Sequence, residues 1–193
     1  VEFMTKNRSH FDHVGSFLRP QELKTARNQY EANQLSLADY KTVQHEAIEK
    51  LVKKEVAVGL TSVTDGEFNR SWWHLDFLWG LKGVGKYEQT DSYKFHGAKT
   101  RTTNIELTSK VAYNPNHPFF EDFEFLKSIL PPGVEPKVTI PSPSLIPNRD
   151  GRSDRWPEFY GSWEEFLDDL AQAYHETLLH FYELGARYIQ LDD

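Results

Sequence analysis

Cysteine is absent from the 193 residues, which excludes disulfides and thiolate metal ligands within them. Basic charge is in deficit: 22 Lys and Arg stand against 29 Asp and Glu, a net charge of −7. A nonspecific nucleic-acid binder carries the opposite balance, so that class is set aside. No apolar run is long enough to span a bilayer, and the opening residues do not read as a secretory signal. No repeat, low-complexity tract or linker divides the chain, so residues 1–193 are expected to form one domain, with a cytoplasmic location as the default. Aromatic residues are plentiful: 13 Phe, 9 Tyr and 5 Trp. With 38% hydrophobic and 26% charged residues, this is the composition of a folded chain with a sizeable core, and most of the aromatics are expected in it.

The apolar pattern alternates between periods. Residues 11–17 read as a short strand leading into Leu18-Arg19-Pro20 and a helix from Pro20 to about Asn33. Ser36 with Asp39 forms a capping-box variant ahead of Tyr40, Val43, Ala47, Ile48, Leu51 and Val52 at helical spacing, and Gly59 stops that helix. Residues 60–64 read as a second strand, 68–92 as a long aromatic loop and 93–113 as a β-hairpin. A helix over 118–130 precedes a third strand at 137–140 and a polar loop at 147–161. Ser162 and Glu165 cap a last helix with an apolar stripe of Leu167, Leu170, Ala171, Tyr174, Leu178 and Phe181. A fourth strand, 187–191, ends in Asp192-Asp193. This alternation argues for an α/β fold with parallel strands and crossover helices, interrupted by a hairpin insertion.

In such folds ligands bind outside the carboxyl ends of the strands. Those ends carry Gly15-Ser16, Asp65-Gly66-Glu67, Ser142-Pro143-Ser144 and Asp192-Asp193. Gly15-Ser16 offers backbone access and a hydroxyl to a carboxylate, or is an ordinary turn. The acidic sets suit an ammonium, a metal or acid–base work, or cap the helices that follow. His10 and His13 point to opposite faces of a strand, which disfavours joint metal binding, while His13 remains a candidate substrate contact beside Gly15-Ser16. His175 and His180, five residues apart on the last helix, read as surface or core histidines. Trp72, Trp73, His74, Phe77 and Trp79 form a stacking wall for a heteroaromatic ligand or part of the core. Arg149, Arg152 and Arg155 grip an anionic ligand or line a solvated loop.

The segments HVGSFLRP at 13–20, VTDGEFNRSWW at 63–73, IPSPS at 140–144 and YIQLDD at 188–193 occur in this order. Together they resemble the shorter, single-barrel relatives of cobalamin-independent methionine synthase, along essentially the whole chain. The resemblance implies a (β/α)8 TIM-barrel type fold, of which this chain would supply about the first four βα units. It implies methyl transfer from a methylated folate to homocysteine, with zinc activating the thiol. By resemblance Gly15 and Ser16 hold the amino-acid carboxylate, Glu67 and Asp192 its ammonium, and Trp72, Trp73 and Trp156 stand on the folate side. His13 and Arg19 belong to the short relatives' version of the first motif, without an implied role. Asp193 stands where the full-length enzymes usually carry Glu. The zinc ligands of the family are a His, a Glu and two Cys in later strands, so no metal ligand is expected here. The resemblance assigns no catalytic residue. Two other readings stand beside this one. A noncatalytic half-barrel would bind ligand or self-associate to cover its open edges. A barrel hydrolase would place a metal on Asp65, Glu67 and Asp192.

Overall fold

In the computed structural model, residues 12–88, 94–95, 98–99, 102–148 and 151–193 are described. His10, Arg149 and the start of the expected first strand lie outside them. The elements in chain order are helices α1 (Gln21–Glu31) and α2 (Leu37–Ala57), strand β1 (Ser62–Val63), helix α3 (Leu75–Gly80) and strands β2 (Lys82–Glu88), β3 (Lys94–Phe95), β4 (Ala98–Lys99) and β5 (Thr103–Ala112). Helix α4 (Pro118–Ser128), strand β6 (Glu135–Pro141), helix α5 (Leu145–Asn148), strand β7 (Gly151–Arg152), a 3-10 turn over Ser153–Glu158, helix α6 (Trp163–Glu183) and strand β8 (Tyr188–Asp192) follow. The chain divides into two units: one runs to Arg70 and adds Asp122–Val138, and the other joins Ser71–Glu121 to Thr139–Asp193.

The first unit is built on α2. Ser36 Oγ accepts the Asp39 N–H, which satisfies one of the helix's free amides, as the capping pattern predicts. Residues Tyr40, Gln44, Ala47, Ile48, Leu51, Val52 and Glu55 recur at helical spacing on its buried face. They pack with Leu23 and Ala26 of α1, Val63, Phe68 and Leu126. β1 pairs parallel with the start of β6, Ser62 opposite Glu135 and Val63 opposite Pro136. Residues 12–17 differ from expectation. They alternate between exposed and half-buried, as an extended segment does, but form no ladder. The buried Lys137 ammonium takes the His13 carbonyl, a group a ladder would use, and the Asp12 carboxylate, each at 2.7 Å.

The second unit holds the hairpin, which is larger than the sequence pattern indicated. Its first strand is β2, antiparallel to β5, so it starts inside the stretch read as an aromatic loop. The register shifts between Lys82 and Val84, where Gly83 has φ +81 and an added Cβ would lie 2.3 Å from the Lys110 carbonyl. Gly-rich Lys82–Gly85 hides strand period behind this bulge. The same stretch also contains α3. In α6, Ser162 Oγ accepts the Glu165 N–H while Glu165 accepts from the Gly161 N–H. The buried stripe of α6 is Phe166, Leu170, Ala173, Tyr174, Thr177 and Phe181. Of the expected stripe, Leu167 and Ala171 are exposed and Leu178 is half-buried. β8 neighbours the end of β6, with the Ser142 N–H donating to the Asp192 carbonyl at 2.6 Å. Among the described residues no helix is long and apolar enough to cross a membrane.

Candidate functional site

In the first unit, two separate sequence motifs meet. The Phe17 N–H donates to the Gly66 carbonyl at 3.2 Å, setting Gly15-Ser16 beside the Asp65-Gly66-Glu67 turn. Gly15 has φ +82 with no described residue within 4 Å of an added Cβ, and Ser16 is exposed, so among the described residues backbone and hydroxyl are both open to a ligand. His13 Nε2 lies 2.8 Å from the Gly15 carbonyl, and its ring stacks on Phe17 at 3.8 Å. His13 therefore braces this loop.

The acidic turn is held in a high-energy shape. Gly66 (φ +67) and Glu67 (φ +59) are both left-handed. For Glu67 that conformation costs about 1–2 kcal/mol. Asp65 offsets it: one carboxylate oxygen accepts the Glu67 N–H at 2.9 Å and the other the Asn69 amide at 3.1 Å. Asp65 is thus committed to shaping the turn. A side chain at Gly66 would come within 2.3 Å of Leu51 Cδ2. The Glu67 side chain is buried, and its carboxyl group lies 3.9 Å from the Arg70 guanidinium.

In the second unit, the third and fourth motifs meet. Ser142 and Ser144 hydroxyls lie 2.7 Å apart, and Ser144 donates to Asp193 at 2.5 Å. The Gln190 amide donates to Asp192, which is half-buried. Trp72 and Trp73 are half-buried and flank His74, at ring separations of 6.3 and 4.4 Å. Both carboxylate oxygens of Asp76 accept backbone N–H groups there, from Ser71 at 3.0 Å and Trp72 at 2.7 Å. Trp156 stands edge-on to Trp163 at 5.4 Å. Of the other candidates, Arg155 is taken up by Glu106 and Glu158, Phe77 belongs to the core, and Trp79 donates to the Asn104 carbonyl. His180 packs against Phe120 with tilted rings and meets the Tyr113 hydroxyl, while His175 is exposed.

The catalytic domain of cobalamin-independent synthases matches residues 12–99, a stretch that includes the first two motifs. The chain is similar to the cobalamin-independent methionine synthase-like family along nearly its whole length. It is 40% identical to the uncharacterized YxjH of Bacillus subtilis, over 94% of this chain and 47% of YxjH. It is 25% identical to the methionine synthase of Saccharolobus solfataricus, over 93% of this chain and 51% of that enzyme. Among solved structures, a Listeria monocytogenes protein provisionally assigned as a vitamin-B12-independent methionine synthase superposes with a TM-score of 0.77 at 34% identity, covering 96% of this chain and 52% of its own. A B12-independent methionine synthase from Shewanella, solved with selenomethionine, shares the fold with a TM-score of 0.60 at 20% identity, covering 83% of this chain and 44% of its own. The chain therefore spans about half the length of the family members it matches.

Three residues of the first unit carry weight that the motifs alone did not reveal: Lys137, Arg19 and Glu55. Lys137 anchors the segment before Gly15, and a lone Lys opening the apolar run Val138-Thr139-Ile140 was the available signal. The Arg19 guanidinium donates to the Glu67 and Arg70 carbonyls at 3.0 and 3.1 Å. Glu55 lies on the buried face of α2, readable from its spacing to Ile48, Leu51 and Val52. It accepts the Thr64 N–H, while its second oxygen is buried without a partner among the described residues. Burial, chiefly, pushes its carboxyl up to about 7. A cleft of about 660 Å³ runs along this side of the first unit, lined by Phe17, Leu18, Arg19, Lys50, Lys54 and Glu55 among others; Gly15, Ser16 and Glu67 do not line it.

Proposed function

We propose that this chain supplies the amino-acid-binding part of a cytoplasmic methyltransferase that makes methionine from homocysteine. In this reading Gly15 and Ser16 receive the carboxylate, His13 braces their loop, and Glu67 receives the ammonium. The observation that supports it is the hydrogen bond from Phe17 to Gly66, which sets the Gly15-Ser16 loop beside the turn of the buried Glu67 in the first unit. The selenomethionine bound to the Shewanella relative is an amino acid of the class this arrangement suits. Charge-assisted contacts of this kind contribute roughly 1.5–3 kcal/mol each, so three reach the ~4.1 kcal/mol of millimolar recognition.

A methylated folate is the proposed methyl donor, with Trp72, Trp73 and Trp156 of the second unit as its proposed contacts. Zinc would serve by making the homocysteine thiolate available at neutral pH. The residues present do not fit that ion: the chain has no cysteine, and among the described residues no three His, Asp or Glu side chains gather as ligands. Zinc ligands are accordingly assigned to a partner segment or a longer form of the protein. Exposed Val14 and Leu18, at 65% and 95%, favour self-association or pairing with such a segment.

Titration calorimetry of the chain and its Glu67→Gln variant with L-homocysteine tests the reading. Loss of one charge-assisted contact weakens binding about tenfold or more. Equal affinity in both proteins removes Glu67 from the site.

A further inference from the structure

We propose that Arg19 is a positioning residue: it locks Glu67 into the left-handed conformation and thereby couples the carboxylate-binding loop to the ammonium-binding acid. The second half of this statement rests on the assignment of Glu67 to an amino-acid site.

Arg19 sits three residues after Ser16, and its half-buried Nη2 donates to the carbonyls of both Glu67 and Arg70. These carbonyls bracket the short turn that carries the acid. The Glu67 carbonyl already accepts the Arg70 N–H at 3.1 Å, so the guanidinium adds a second, charged donor to a group that fixes the turn. A non-glycine residue at φ +59 persists only where its surroundings over-determine it. Here those surroundings are Asp65 on the Glu67 N–H, Phe17 on the Gly66 carbonyl and Arg19 on the Glu67 carbonyl. Asp65 belongs to the turn itself, whereas Phe17 and Arg19 come from the first motif. Arg19 alone among the three brings a full positive charge to the backbone. The spacing of Gly15, Ser16 and Arg19 thus lets one short loop receive a carboxylate and orient the acid that receives the ammonium.

The test follows amide exchange by NMR in the whole 193-residue chain. In Arg19→Met, whose side chain keeps an apolar stem but no donor, the Phe17 and Glu67 amides are expected to exchange at least tenfold faster. Glycine adopts positive φ without strain. In a Glu67→Gly background the same Arg19→Met change should therefore leave the Phe17 amide nearly unaffected. Unchanged exchange in Arg19→Met, or equal acceleration in both backgrounds, would overturn the lock, the latter marking Arg19 as ordinary packing. Homocysteine affinity is read in parallel. It should fall tenfold or more in Arg19→Ala and recover when ethylguanidinium is added. Accelerated exchange with unchanged affinity overturns the coupling to the ligand. A parent chain that fails to bind homocysteine sinks the functional reading and that coupling together, while the exchange data still decide whether Arg19 holds the turn.

Discussion

Replacing Glu55 with Gln should stabilise the protein at alkaline pH and lose that advantage in mild acid. The carboxyl is 2% exposed, one of its oxygens accepts the Thr64 N–H, and the other has no partner among the described residues. Burial, opposed by that hydrogen bond and helped by the nearby Asp65 charge, raises it from 4.5 to about 7. The folded state therefore binds this proton more tightly than the unfolded chain does. Stability from this group is greatest below pH 4.5, declines as pH rises, and is fully lost above about 7. Two and a half decades of proton affinity at ~1.36 kcal/mol each put the loss at about 3 kcal/mol. Gln keeps the acceptor for Thr64 and cannot ionise. Its amide brings its own unsatisfied donors, but that penalty is the same at every pH, so the pH profile isolates the charge. Urea unfolding by circular dichroism, at fixed protein concentration and at pH 4.5, 6, 7 and 8, measures it. The wild-type chain should lose about 3 kcal/mol relative to Glu55→Gln across this range. Parallel profiles would refute a buried, uncompensated carboxylate at this position.

Lys137→Met should destabilise the chain by about 1–3 kcal/mol in urea melts, because the His13 carbonyl and the Asp12 carboxylate lose this charged donor; an unchanged midpoint would show the pair to be dispensable. Gly66→Ala combines a left-handed backbone with a 2.3 Å approach to Leu51. It should lower stability by more than the ~1–2 kcal/mol of the conformation alone, and an unchanged thermal midpoint would contradict that. Sedimentation velocity should find a dimer or larger species, reflecting the exposure of Val14 and Leu18. A monodisperse monomer would count against self-association.

Much of the architecture was legible because its signals are local. Ser36 and Ser162 mark the starts of α2 and α6, as their side-chain caps show. The strand ends were readable from short β-branched runs closed by Asp or Pro. The hairpin's first strand was hidden, since Gly83 and Gly85 erase the side-chain alternation on which strand recognition depends. The segment at 12–17 has strand-like alternation, but a ladder depends on partners that sequence does not display, and Lys137 takes one of its carbonyls instead. At the candidate site the motifs were visible and their pairing within each unit was not. Phe17 on Gly66 and Ser144 on Asp193 are contacts between residues distant in sequence. The roles of Arg19, Glu55 and Lys137 depend on burial and on backbone carbonyl partners, neither of which residue type announces.

The most direct measurement of the central claim is a crystal structure of the chain soaked with L-homocysteine. One amino acid is expected with its carboxylate on the Gly15-Ser16 backbone and the Ser16 hydroxyl, and its ammonium within hydrogen-bond distance of Glu67. Homocysteine bound away from these residues, or with its ammonium out of reach of Glu67, would contradict that placement.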